Sequence, residues 1–295
     1  QYRYFLRWQM SMVNMFEVVA AEHMAQPLIS ATMDGCMESG RDVMRGGARN
    51  NSCGVPGIGI GNAVDSLYAI KHLCFDTKRC TTRELYDALM ANWEGYDELR
   101  NYINGEMPRY GNAIEEVDQW ATWLMNLFAD IVTEFTSIRG CKFAPGLYPV
   151  ATNVLWGMFT PATPDGRKSG EALADGISPV QQMDKNGPTS TLTSVAHIPQ
   201  SRYSNGTLLN MKFHPSSVSG PEARAKLQAL METYFKMGGM EIQINITSSE
   251  TMKKAQADPD AYKNLVVRVA GFSAYFVELF KPCQDDLIRR TELSL

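Results

Sequence analysis

The stretch Leu265-Val-Val-Arg-Val-Ala-Gly271-Phe-Ser-Ala-Tyr-Phe-Val-Glu-Leu-Phe280 decides how this chain is read. Its first six residues are almost all apolar and rich in valine, which predicts an apolar strand over 265–270. Gly271 closes that strand in a turn, where a residue without a Cβ can take backbone angles closed to the others.

Working back toward the N-terminus, the periodicity alternates. Met240–Ile246 places polar residues at every second position and reads as a strand. On either side lie a helix entered at Ser219-Gly-Pro-Glu222 and stopped by Gly238-Gly239, a helix capped by Thr247-x-x-Glu250, and a short one started by Asp258-Pro259. Thr207–Phe213 and Ser190–His197 are β-prone. Tyr148–Trp156 reads as a buried strand that leads to a turn at Thr163-Pro-Asp-Gly-Arg167. Ile114 to about Thr136 predicts a long helix. Thr81-Thr-Arg-Glu84 is a capping box opening a helix toward Trp93 that breaks near Gly95 and resumes to Ile103. Asn62–Leu73 is helical by spacing, residues 34–61 are expected to form an ordered loop, and residues 1–33 a mostly buried helix. Interleaved helices and strands make the class α/β.

Composition narrows the function. Of 295 residues, 44% are hydrophobic and 20% charged, so a packed core is expected. The 28 basic and 32 acidic residues leave a net charge of −4, which argues against nucleic-acid or anionic-membrane partners. No apolar run nears the roughly 18 residues of a membrane span, so a cytoplasmic location is expected. The six cysteines contain no Cys-x-x-Cys pair and read as reduced thiols. His23, His72, His197 and His214 lie far apart without metal-ligand spacing, so no metal is expected. Gly57-Ile-Gly-Ile-Gly61 lacks the spacing of a dinucleotide fingerprint, and no convincing strand precedes it; a tight structural loop is the expectation. Because the chain starts at Gln1 within an apolar stretch, it is expected to be part of a longer one.

Arg268-Val-Ala-Gly271-Phe-Ser-Ala274, with Gln284-Asp-Asp-Leu-Ile-Arg289-Arg-Thr-Glu292 behind it, resembles the C-terminal signature of the glycyl radical enzymes, the pyruvate formate-lyase superfamily. Further blocks follow in family order: Asp34-Gly-Cys-Met-Glu38-Ser-Gly-Arg-Asp42, Gly46-Gly-Ala-Arg-Asn50, Ala63-Val-Asp-Ser-Leu67, Glu94-Gly-Tyr96, Thr163-Pro-Asp-Gly-Arg-Lys168, Leu173-Ala-Asp-Gly-Ile-Ser-Pro179, Asn205-Gly-Thr207, Lys212-Phe-His-Pro215 and Ala255-Gln-Ala257. The resemblance implies the C-terminal portion of a ten-stranded α/β barrel with a buried glycyl radical loop. It divides the chain into barrel (1–237) and glycine radical domain (238–295).

The resemblance assigns the stored radical to Gly271, with Arg268, Val269, Phe272, Ser273 and Ala274 supporting the loop; Phe272 stands where many members have tyrosine. Glycine suits the role because its Cα radical can flatten between the amide nitrogen and the carbonyl. No cofactor is bound. A separate activating enzyme, using S-adenosylmethionine and an iron–sulfur cluster, installs the radical. A catalytic cysteine in a Gly-Cys-x-Glu segment then receives it and attacks a small organic substrate by dehydration, deamination or decarboxylation. Gly35-Cys-Met-Glu38 copies that segment, but the residues after it match a later block. The catalytic pair is therefore expected upstream of residue 1, with Cys36 the minority candidate and the present chain inactive alone. Tyr148 and Glu38 are candidates for the substrate pocket, and Asp34 or Glu38 is expected to pair with Arg41 or Arg45. The branches most similar are the diol dehydratases, choline trimethylamine-lyases and arylacetate decarboxylases, and a homodimer is implied. Alternatives are a formate acetyltransferase of the pyruvate formate-lyase type and a spare-part radical carrier.

Overall fold

The structure, a computed structural model, describes residues 1–294. Helices and short strands interleave along it, the α/β arrangement expected, and the chain packs as two compact units.

The first unit holds Gln1–Pro56, Met125–Gly146 and Arg202–Gly206. Helix Tyr2–His23 is present, but it buries only Leu6, Met10, Glu17 and Ala20, while Tyr4, Phe5, Trp8, Met15 and Phe16 are exposed. The expectation of a buried helix is thus corrected: one narrow face finds a partner in this chain. Glu17 is the polar anchor on that face. Its carboxylate takes Arg139 Nη2 at 2.8 Å and Ser137 Oγ at 2.5 Å. Burial pushes the Glu17 carboxyl up, yet hydrogen bonds from Cys53, Ser137 and Arg139, with the Arg139 charge, bring it below its ordinary value. The segment expected as loop contains a helical turn at Cys36–Ser39 and strand β1 (Cys53–Pro56), which pairs in parallel with β2 (Phe143–Gly146).

The second unit holds Gly57–Leu124, Leu147–Ser201 and the chain from Thr207 onward. A short parallel sheet has β3 (Asn210–Phe213) at its centre, flanked by β4 (Gln243–Asn245) and β7 (Glu292–Leu293). Beside it, β5 (Val266–Arg268) and β6 (Ser273–Tyr275) form an antiparallel hairpin in register Arg268↔Ser273. Met252, Ala255, Val267, Val269, Phe276, Cys283 and Leu287 form a buried cluster under that hairpin. Each large apolar side chain there contributes roughly 1.5–3 kcal/mol by leaving water.

Local signals fare unequally. The Thr81 capping box forms, Thr81 N–H donating to Glu84 at 2.7 Å and Glu84 N–H to Thr81 Oγ1 at 3.1 Å. The helix read over Asn62–Leu73 spans Ile60–Ile70 and continues as a π-helical turn. The long helix runs Glu115–Glu134. Tyr148–Trp156 is not a strand: Val150 and Ala151 take φ of +58° and +148°, and helix Thr152–Phe159 follows. Pro149 withholds a ladder donor there, so apolar composition misled. Ser190–Ala196 is helical too, within Pro188–Ala196, with His197 capping its end and Pro188 in the first turn starting it. The helix after Thr247 is capped by Ser248, whose side chain accepts from Thr251 N–H.

A strand, β1, does precede Gly57–Gly61, contrary to expectation. Its glycines nonetheless serve packing. A Cβ on Gly61 would lie 3.0 Å from Ser178 O and Val180 N, so the segment after Leu173 already fills that helix start.

Candidate functional site

The predicted loop residues come together in one hairpin. Val269 N–H donates to Phe272 O at 2.9 Å, and Gly271 lies between them with φ of +85°, a left-handed conformation that favours glycine. A Cβ built on Gly271 would meet only Leu208 Cδ1, at 3.5 Å, which is ordinary contact. Steric exclusion therefore does not explain the glycine; the backbone angle does so in part. The stem is buried at Val267, Val269 and Ala270, whereas Gly271 and Phe272 are exposed. A loop buried to its tip is thus met only as far as Ala270 in this chain, because none of its described residues covers the tip closely.

Side chains from outside the hairpin hold its backbone. Gln243 Oε1 accepts from Gly271 N–H at 3.0 Å and from Arg268 Nε at 2.7 Å. Asn245 Nδ2 donates to Arg268 O at 3.3 Å. On the other side Arg290 Nη1 donates to Val269 O at 2.7 Å, while its Nη2 meets Asp286 at 3.1 Å. Gln181 Nε2 in turn donates to Asp286 at 2.7 Å. Burial pushes the Asp286 carboxyl up, the Arg290 charge pulling against it. Arg268 Nη1 also reaches Ser273 Oγ at 3.3 Å. Of these holders only Arg268 and Ser273 were singled out in the sequence. Asp286 and Arg290 fall within the quoted Gln284–Glu292 block without a role of their own, and Gln243, Asn245 and Gln181 were given none, although the alternation of Met240–Ile246 puts Glu241, Gln243 and Asn245 on one face.

Tyr148 is half-buried and falls just after Leu147, whose carbonyl accepts from Leu208 N–H at 2.9 Å. Leu208 is also the residue nearest a Gly271 Cβ, so Leu147, the residue before Tyr148, and the hairpin share a neighbour.

The other motifs are structural. Arg167 is buried and donates to the carbonyls of Glu171 (2.6 Å), Thr160 (2.9 Å) and Lys168 (3.0 Å). Asp165 accepts from Asn62 at 2.6 Å, and Asn62 Oδ1 takes Ala174 N–H at 2.6 Å. Gly176 is required by close approach, since a Cβ there would overlap Leu208 O at 2.1 Å.

In the first unit, Cys36 is buried at 3% exposure, and Glu38 spends a carboxylate oxygen on Gly35 N–H at 3.0 Å, capping its own turn. Asp34 pairs with Arg49 at 3.0 Å rather than with Arg41 or Arg45, whose side chains donate to Arg45 O and Ala21 O. The four histidines are engaged separately; His72, for instance, bonds Tyr102 Oη at 2.9 Å and stacks on Tyr68. Among the described residues no group of three potential ligands could hold a metal ion, and no helix is long and apolar enough to cross a membrane.

Residues 1–157 match the family described as "Pyruvate formate lyase-like", and residues 173–277 match "Glycine radical". The chain is 38% identical over 298 residues to (2S)-3-sulfopropanediol dehydratase of Klebsiella oxytoca, covering 99% of this chain and 36% of that one. It is likewise 38% identical over 276 residues to trans-4-hydroxy-L-proline dehydratase of Clostridioides difficile, covering 94% and 35%. Among solved structures, the glycerol-bound B12-independent glycerol dehydratase from Clostridium butyricum superposes with a TM-score of 0.94 at 39% identity, over 100% of this chain and 37% of that one. The chain thus spans little more than a third of the length of these relatives.

Proposed function

The chain belongs to the pyruvate formate lyase-like family of glycyl radical enzymes, and from that premise we propose that it is the radical-storing part of a lyase removing water from a small hydroxylated substrate. One observation carries the reading. Gly271 presents a Cα with two hydrogens and no packed neighbour, its amide held by Gln243 on a hairpin whose stem is buried. The three dehydratases named above support loss of water over loss of amine or carbon dioxide.

A radical S-adenosylmethionine activating enzyme with its own iron–sulfur cluster supplies the oxidising step, taking one hydrogen atom from Gly271 Cα. The unpaired electron stays on Cα, shared with the amide nitrogen and the carbonyl. In turnover the S–H hydrogen of a catalytic cysteine moves to Cα, which restores glycine and leaves a thiyl radical facing substrate; the transfer reverses at the end of the cycle.

We assign the thiol to a cysteine other than Cys36, because Cys36 is packed and Glu38 is committed to Gly35. Tyr148 borders the substrate pocket in this reading, supported by the neighbour, Leu208, that the adjacent Leu147 shares with the hairpin. Residues 238–295 act as the radical domain, since the buried cluster under the hairpin is drawn from Met252 to Leu287.

The test is electron paramagnetic resonance of the full-length protein activated without oxygen. A doublet from the one remaining α-hydrogen is expected, collapsing when glycine is deuterated at Cα. A signal indifferent to that labelling would sink the assignment.

A further inference from the structure

We infer that Gln243 is a positioning residue for the Gly271 radical: its side-chain oxygen fixes the plane of the Gly271 amide through which the unpaired electron spreads. This rests on the reading of Gly271 as the radical site. A glycyl radical is stable only while the Cα p orbital stays aligned with the nitrogen lone pair on one side and the carbonyl on the other. Turning the amide about N–Cα breaks the first overlap, and a turn whose own cross-turn bond does not use that N–H leaves the rotation free unless something outside the turn holds it. Nothing within the hairpin does so, because its own cross-turn bond uses Val269 N–H and Phe272 O.

Gln243 supplies the constraint from the sheet. It stands on β4, its own N–H tied to Leu209 O at 2.7 Å, so its backbone is fixed independently of the loop. Its Oε1 faces two donors at once, Gly271 N–H at 3.0 Å and Arg268 Nε at 2.7 Å. A guanidinium and an amide N–H can only donate, so the oxygen rather than the nitrogen of Gln243 must point at them. Glu241, two residues earlier on the same face, is anchored by Leu209 N–H at 3.0 Å. Arg268 therefore orients the Gln243 oxygen, and the oxygen orients Gly271. Asn245, two residues along on the same face, steadies Arg268 by donating to its carbonyl at 3.3 Å. Accepting from Gly271 N–H also enriches the nitrogen lone pair, which strengthens donation into the electron-poor Cα.

The test compares Gln243→Leu, which removes the acceptor, with Gln243→Glu, which keeps an oxygen for both donors, in the full-length protein. Before activation, residue-level hydrogen exchange should speed at Gly271 by up to about tenfold in Gln243→Leu, while Val269, bonded within the turn, stays protected. After activation, Gln243→Leu should give a broadened doublet of altered splitting and several-fold shorter life. Gln243→Glu should restore both toward wild type. Unchanged exchange at Gly271 together with an unchanged doublet in Gln243→Leu would overturn the inference. Absence of a doublet in the wild type would instead overturn the radical reading, leaving the exchange result to judge the contact. Should Gln243→Leu fail to fold, Gln243→Asn, which withdraws the oxygen by one methylene, decides by the same readouts.

Discussion

Two glycine turns in this molecule share a left-handed backbone and differ in what holds their glycines. Gly35, before Cys36, has φ of +96° and a Cβ there would lie 2.6 Å from Arg49 N, so backbone packing itself requires glycine. Gly271 has φ of +85° and an open Cα, with Leu208 Cδ1 at 3.5 Å the nearest atom to a built Cβ. The first turn is capped by its own Glu38 on Gly35 and pinned by Arg49, whose N–H donates to Asp34 O at 2.8 Å. The second is held by Gln243, Asn245 and Arg290, from outside the hairpin. The two glycines thus have different causes: backbone overlap at Gly35, and at Gly271 a left-handed turn held by borrowed side chains.

The sharpest way to break this contrast is to put alanine in both turns. Gly271→Ala should abolish the doublet and turnover while costing only about 1–2 kcal/mol of stability, the price of a left-handed alanine. Gly35→Ala should do the reverse, destabilising by roughly 2–5 kcal/mol through backbone overlap and strain, with the radical still forming in the folded fraction. Paired melting curves and spin quantification read both.

Oxygen offers a second separation. A Cα radical traps dioxygen and the chain breaks there, so air should cut the activated protein at Gly271 and release a peptide beginning near Phe272, 24 residues long (295 − 271 = 24). Unactivated protein should stay whole, and no cut should appear at Gly35. Mass spectrometry of both samples checks it.

A smaller effect is expected at the neighbouring thiol. Cys36→Ser should cost about 1–3 kcal/mol by burying a hydroxyl, yet leave radical formation and substantial turnover. Complete loss of turnover in a folded variant would make Cys36 the thiyl site.

The smallest effect is a difference in sign with pH. The Glu17 carboxyl in the first unit is held below its ordinary value, so its contribution is present above the unfolded carboxylate value and is lost as pH falls through the lower folded one. Burial holds Glu241, behind the hairpin, above its ordinary value; its contribution is present in acid and is lost as pH rises through the folded value. On mild acidification from neutrality, exchange protection corrected for intrinsic rates should therefore hold or rise at Leu209, whose N–H Glu241 accepts. At Ser137, beside Glu17, protection should fall only in stronger acid.

The sequence by itself determined the parts whose physics is local. The valine-rich run into Gly271, the Thr81 capping box and the helical spacing of Asn62–Leu73 each specify their structure locally: the box forms as read, the strand is shorter at Val266–Arg268, and the helix is shifted to Ile60–Ile70. It also determined the family, since ordered motif blocks survive without any knowledge of contacts. Tertiary structure decided whatever depends on partners distant in the chain. Apolar content at Tyr148–Trp156 suits strand or helix equally, and the left-handed Val150 and Ala151 settled it. The alternation of Met240–Ile246 was legible as a polar face, but not what that face would meet. Gln243 and Gly271 are 28 positions apart, and hydrogen bonds over such separations leave no periodic trace. Only the folded chain brings the oxygen of one to the amide of the other.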